Sequence, residues 1–387
     1  MTRQPLVDGR VAHPHAYRAR RFWNWFPLGV AYALLYMGRY NLNVAQGALG
    51  GLMTKGAFGD IFFVGALVYG VAFVLNGPLT DRIGGRAAML IAVLGAAAAN
   101  AAMGFYLRAT ILGGAATAAS VKTVLSVLYA LNMYFQSFGA VAIVKVNSAW
   151  FHVRERGGFS GIFGVMISAG IFFAYDGNQR LLDAVQPAQG SGQPMPSWVV
   201  FFAPAIALAV IALVEVPLLR DAPSETGHDD IDTGALVHDG EHAFTTWDVL
   251  KRVLTHPVIL TVAFIELCTG ALRQGVMQWM PIYAREQAKL ADASPGWTYL
   301  KDNWGLILFV AGVIGGNVAG FVSDAVFGSR RAPAALLLYA LMAACMFALA
   351  FALGNAWEMC VLTFLSSLAV IGVHGLLSGT ATMDFGG

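Results

Sequence analysis

Gly77-Pro78-Leu79-Thr80-Asp81-Arg82-Ile83-Gly84-Gly85-Arg86 closes one apolar stretch, and Gly320-Phe321-Val322-Ser323-Asp324 closes another far down the chain, followed by Gly328 and Arg330. In both, a glycine stands four residues before an aspartate, a hydroxyl residue directly precedes the acid, and an arginine follows within a few positions. Glycine permits a tight turn and a close crossing of helices. The acid is suited to pairing with a neighbouring cation or to sitting at a helix N-terminus. That such a turn occurs twice marks an internal duplication.

The surrounding composition says where these turns lie. Of the 387 residues, 57% are hydrophobic and only 12% charged, with a mean hydropathy of +0.63, whereas a soluble domain carries about 25% charged residues. A soluble protein is excluded. Crossing a bilayer takes about 20 apolar residues, and such stretches recur near 24–45, 60–80, 88–106, 123–150, 158–176, 198–218, 258–282, 304–326, 332–353 and 357–378. Ten helices are expected, in an all-α membrane protein.

If they alternate in direction, the loops holding Arg82, Arg86, Arg154, Arg156, Arg330 and Arg331 share a side with the N-terminal tail, and that side has twice the Lys and Arg of the other. The excess places the N-terminus in the cytoplasm of a cell (inner) membrane protein. Residues 1–22 have no apolar core and read as a cytoplasmic tail rather than a cleaved leader. Residues 23–218 form a first six-helix bundle, and 219–256, rich in acids with Gly, Pro and Ser, a flexible cytoplasmic linker. Residues 257–387 form a second bundle of which four helices are present; twelve helices would need about sixty more residues.

Two arginines stand inside apolar stretches, Arg39 in "VAYALLYMGRYNLNVAQ" and Arg273 in "ILTVAFIELCTGALRQGVMQWMPIY". A guanidinium at mid-bilayer costs roughly 2.5–3.5 kcal/mol, so each needs a polar cavity, a partner or a ligand. They fall at matching places in the two halves, which suggests one central site with two positive groups for an anion. Glu266 lies two turns before Arg273 on nearly the same face. It is a proton-coupling candidate, with a permanent ion pair or a water-exposed acid as the plainer alternative. Lys145 reads as a lysine reaching for the interface, His374 as a packing residue, and Asn132 as an interhelical hydrogen-bonding group. Cys268, Cys345 and Cys360 lie in apolar helices without metal spacing. There is no nucleophile with its base, no phosphate loop with Lys and no metal cluster, so no enzyme activity, cofactor, metal or nucleic-acid partner is expected. The expected partners are a small anionic substrate and the lipid bilayer, for a monomer.

The doubled turn resembles the signature of the major facilitator superfamily, and three further blocks narrow the likeness. "YALLYMGRYNLNVA", "FQSFGAVAIVKVNSAWFHVRERGGFSGIFG" and "HPVILTVAFIELCTGALRQGVMQWMPIYARE" resemble helices one, four to five and seven of the organophosphate:phosphate antiporters, which include glycerol-3-phosphate, hexose-phosphate and glucose-6-phosphate transporters. The resemblance implies two pseudo-symmetric six-helix bundles with a site between them near the midplane. It implies that Arg39 and Arg273 hold the substrate phosphate, with Tyr32, Tyr36 and Tyr69 as hydroxyl candidates. It also implies that Asp81, Arg82, Arg86, Asp324, Arg154, Glu155 and Arg156 govern the conformational change. The sequence departs from the glycerol-3-phosphate branch at Phe73, Ile167, Gln278 and Val310, where that branch carries Lys, His, Asp and an acid.

These readings predict a secondary active transporter that exchanges an organophosphate of the sugar-phosphate type for inorganic phosphate by alternating access. Two alternatives remain: a proton-coupled organic-anion (carboxylate) symporter using Glu266, and a transporter-like sugar-phosphate sensor that signals to a partner kinase.

Overall fold

The computed structural model describes residues 6–7, 10–11, 13–188, 190–233, 251, 254–328 and 331–374. It divides into two compact units, Met1–Thr233 and Gly234–Gly387. The first opens with a short antiparallel pairing of β1 (Leu6–Val7) and β2 (Arg10–Val11). Six helical stretches follow: α1 (His15–Leu49), α2 (Lys55–Ile83), α3 (Gly85–Leu112), α4 (Ala118–Trp150), α5 (Val153–Phe172), which runs through a π-helical turn into α6 (Asn178–Ala184), and α7 (Val199–Leu218). The second unit contains α8 (Pro257–Gln274), a π-helical turn Gly275–Trp279, α9 (Met280–Gln287), α10 (Pro295–Asp302), α11 (Trp304–Phe321), α12 (Arg331–Leu349) and α13 (Ala356–His374).

Among the described residues eight helical stretches are long and apolar enough to cross a membrane, and α1 and α5 complete the ten expected by position. The chain is a multi-pass, all-helical membrane protein apart from the two-residue strands. Prolines 27, 78, 204 and 217 lie inside helices, which membrane helices tolerate where neighbouring groups satisfy the freed carbonyls.

In the first unit the core is made where small residues let helices approach. Ala88, Ala92 and Ala96 run along one face of α3 at a spacing of four and are fully buried against Leu28, Leu35, Phe138, Ala142 and Leu208. Gly65 of α2 lies so close to the ring of Tyr129 that a methyl group there would overlap it. In the second unit Ala319, Leu338, Met342, Ala369 and Val373 form the corresponding core of α11, α12 and α13.

Two stretches differ from the sequence reading. The interval between the expected helices 258–282 and 304–326 holds the end of α9 and all of α10. Ser294 caps α10 and Pro295 starts it, while Trp297 and Leu300 are buried, so a short amphipathic segment finds an apolar surface to cover. The expected linker begins as packed chain: Leu219 and Ile231 are buried in the first unit's core. Residues 234–250 of that linker lie outside the described residues, as do 375–387 at the chain end.

Candidate substrate site

Arg39 occupies the middle of α1 and is 8% exposed. Its Nε donates to Gln136 Oε1 at 2.9 Å. Its guanidinium packs against the rings of Tyr36, one turn earlier in α1, and Tyr69 of α2, 4.8 and 4.5 Å from their centroids. Cation–π contact of this kind partly replaces the water a buried guanidinium loses. Its Nη2 is buried with no hydrogen-bond partner, so this cation retains an unused donor. Tyr32 stands against Tyr36 with centroids 5.3 Å apart. Arg39, Tyr36, Tyr32 and Tyr69 are therefore brought together. Phe73 stacks on Tyr69 with ring centroids 6.1 Å apart.

Residues that sequence reading did not join to the site stand behind Arg39. Tyr129 donates its hydroxyl to the Arg39 carbonyl at 3.0 Å. Gln136 is followed by Asn132, Asn100 and Asn41, all with no exposed surface and linked by amide hydrogen bonds of 2.9–3.1 Å. An amide inside an apolar helix is a visible signal, but its partners come from other helices and only the fold names them.

In the second unit Arg273 lies in the last turn of α8, one residue before its end at Gln274, after which the π-helical turn begins. With Val276, Met277, Leu308, Ser367, Val370 and Ile371 it lines a small depression, and its Nε is buried without a partner. The turn redirects the backbone, and Trp304 Nε1 donates to the Met277 carbonyl at 3.2 Å. π-Helical turns are frequent at functional sites. Glu266 does not pair with Arg273. Its Oε2 lies 3.4 Å from His374 Nδ1 and its Oε1 has no partner. Alongside, the hydroxyls of Thr269 and Tyr339 are 3.0 Å apart.

The candidates for the conformational change fall into separate clusters. Asp81, in the last turn of α2, accepts from Lys145 Nζ at 2.7 Å, both side chains being well exposed. Arg82 is exposed. Arg86 donates its Nη2 to the Val216 carbonyl, and its backbone N–H to Asp221 Oδ1, each at 2.7 Å. That second bond satisfies an orphan donor of the first turn of α3. It also explains Gly84, whose φ of 88° favours glycine and whose absent Cβ would meet Asp221 Oδ2 at 2.6 Å. Glu155 lies elsewhere, bonded to Arg21 Nη1 at 3.0 Å and His13 Nε2 at 3.1 Å. Burial raises its carboxyl pKa, and His13 and Arg21 more than offset that, holding it below the ordinary value. Burial pushes the nearby Tyr17 hydroxyl up to about 12, so it remains a donor to the Trp150 carbonyl at 3.0 Å. The side chains of Arg154, Arg156 and Asp324 lie outside the described residues.

Residues 28–386 match the model of the Major Facilitator Superfamily. The chain belongs to that superfamily. Among similar proteins, the glycerol-3-phosphate transporter of Bacillus subtilis (strain 168) is 26% identical over 343 residues, covering 84% of this chain and 70% of the relative. The membrane sensor protein UhpC of Salmonella typhimurium is 24% identical over 348 residues, 87% of this chain and 72% of that protein. The hexose-6-phosphate:phosphate antiporter of Escherichia coli (strain K12) is 25% identical over 328 residues, 81% of this chain and 65% of the antiporter. The resemblance to organophosphate transporters read from the sequence agrees with these relatives.

Proposed function

We propose that the protein is a secondary active transporter exchanging a sugar-phosphate type of organophosphate for inorganic phosphate by alternating access, with Arg39 and Arg273 each binding phosphate oxygens. The observation that carries this reading is the buried Arg39 guanidinium, held at Nε and on two tyrosine rings but unpartnered at Nη2. Leaving a buried charged donor unmade is expensive, and a phosphate offers oxygens matched to the planar fork. The names of the relatives supply the same substrate class. Arg273, with its unpartnered Nε, is the corresponding group of the second unit. Tyr36 and Tyr69 position Arg39 and supply hydroxyls, Tyr32 supports Tyr36, and the turns holding Asp81, Arg82, Arg86, Asp324, Arg154, Glu155 and Arg156 govern reorientation. An empty carrier with two unneutralised arginines reorients slowly and a loaded one readily, which makes exchange obligatory.

The test is counterflow in proteoliposomes preloaded with phosphate, using labelled glycerol-3-phosphate and glucose-6-phosphate. Uptake should require internal phosphate and vanish in Arg39→Ala and Arg273→Ala; uptake indifferent to both substitutions removes the mechanism. Two observations sustain rivals. The Glu266–His374 contact favours proton-coupled organic-anion symport, which would show uptake without internal phosphate that collapses with the proton gradient. The UhpC relative favours a sensor, which would bind sugar phosphate tightly without counterflow.

A further inference from the structure

The amides behind Arg39 have a direction, and backbone carbonyls impose it. The Gly38 and Ala96 carbonyls can only accept, so the groups facing them must be NH2: Asn132 Nδ2 donates to Gly38 O at 3.0 Å and Asn100 Nδ2 to Ala96 O at 2.9 Å. Asn41 Nδ2 likewise donates to Val200 O at 3.0 Å, and also to Asn100 Oδ1 at 2.9 Å. With its NH2 so placed, Asn132 turns Oδ1 the other way, where it accepts from Asn100 Nδ2 at 3.1 Å and from Gln136 Nε2 at 3.0 Å. Gln136 then has its amide nitrogen engaged and must present its oxygen, which is the atom facing Arg39 Nε. An amide placed by chance is as ready to offer nitrogen, which would repel the guanidinium; here the bonds that fix Asn132 and engage Gln136 Nε2 exclude that flip. The backbone is held as well, because Gly38 O and Arg39 O both accept side-chain bonds besides their place in the helix.

From this we infer that Gln136, oriented by Asn132, Asn100 and Asn41, is a positioning residue that commits Arg39 Nε and leaves only the Nη edge to meet the anion. Phosphate then approaches end-on to the two terminal nitrogens rather than side-on across Nε and Nη. Rotamer freedom that an unrestrained arginine loses on binding is already lost before the ligand arrives, so affinity depends on the relay. The inference rests on reading Arg39 as an anion ligand.

The experiment measures exchange of external labelled inorganic phosphate into phosphate-loaded proteoliposomes. Gln136→Met keeps length without an acceptor and should raise KM about tenfold, the effect of one hydrogen bond to a charged group, with the maximal rate within about twofold. Asn132→Ala, which makes no bond to the Arg39 side chain, should raise KM several-fold, because Gln136 loses the acceptor that fixes its amide. A merely structural relay would lower yield or maximal rate and leave KM unmoved. Gln136→Glu keeps the shape and adds a charge that occupies Arg39, so saturable phosphate exchange should disappear while thermal stability is kept; it reads the same question if Gln136→Met does not fold. Folded Gln136→Met or Gln136→Glu with the wild-type KM overturns the inference. If the wild type exchanges no phosphate at all, the functional reading fails, and the positioning claim is judged by the Nε–H resonance of Arg39, assigned by its loss in Arg39→Lys. Slow solvent exchange of that proton, accelerated in both Gln136→Met and Asn132→Ala, supports the relay, and exchange unchanged in either refutes it.

Discussion

Arg39 is 8% exposed, bonded at Nε and packed on two tyrosine rings, whereas Arg273 is half-buried, has an unpartnered Nε and stands beside a π-helical turn. One unit holds its cation by a network that spans four helices; the other holds it by a local change of helical pitch. The difference teaches that two residues matched in sequence need not be matched in rigidity. A fixed guanidinium selects geometry, and a loosely held one adjusts to whatever the ligand leaves.

The comparison breaks first at the charges themselves. Arg39→Lys keeps the charge but removes Nε and the planar fork, so phosphate exchange should fall on the order of a hundredfold, since lysine cannot reproduce fork contacts or ring stacking. Arg273→Lys, with no Nε bond to lose, should cost about tenfold. Initial rates of phosphate exchange for the two variants check this, and equal losses would mean that the two surroundings do not matter.

A second probe attacks the rigid frame. Gly65→Ala drives a methyl into the Tyr129 ring, and the Tyr129 hydroxyl is bonded to the Arg39 carbonyl. Overpacking of this kind costs ~1–3 kcal/mol, and detergent unfolding should show it together with a raised KM for phosphate. In the other unit Trp304→Phe removes the indole's hydrogen bond to the Met277 carbonyl, worth about 1 kcal/mol. It should loosen the π-helical turn and change exchange by Arg273 less than Gly65→Ala changes that by Arg39.

How far these regions could be read in advance follows from the range of the signals. Apolar stretches are local, so the ten helices and the two arginines stand out from the sequence, and the doubled Asp81 and Asp324 turn adds the repeat. The Gln136–Asn132–Asn100–Asn41 relay was visible only as scattered amides, because each bond joins residues on different helices or one turn apart. Asp221 gave no sign that it caps α3, since it reads as one more acid of a linker, and only the folded chain returns it to Arg86. Glu266 has His374 beside it, which the sequence could not name, because helical phase says which side a residue occupies and not what stands opposite.

The smallest expected effect asks whether the first unit's rigidity extends from Arg39 to its arginine-rich end. Glu155 joins Arg21 and His13 there, and its carboxyl pKa is lowered in the folded chain. A group with a depressed folded pKa binds protons more readily when unfolded, so its stabilisation is complete above the ordinary carboxylate value of about 4.3 and is lost as pH falls through the lowered folded pKa. Thermal unfolding at neutral pH should therefore place Glu155→Gln below the wild type by a few tenths to about 1 kcal/mol, and the two should converge as the buffer is made more acid. Equilibrium phosphate affinity should not move, because this cluster shares no bond with the amides behind Arg39, whereas the rate of exchange reads its proposed part in reorientation. A gap that persists at low pH would show that Glu155 acts by packing instead, and a shifted affinity would tie the arginine-rich end to the binding residues after all.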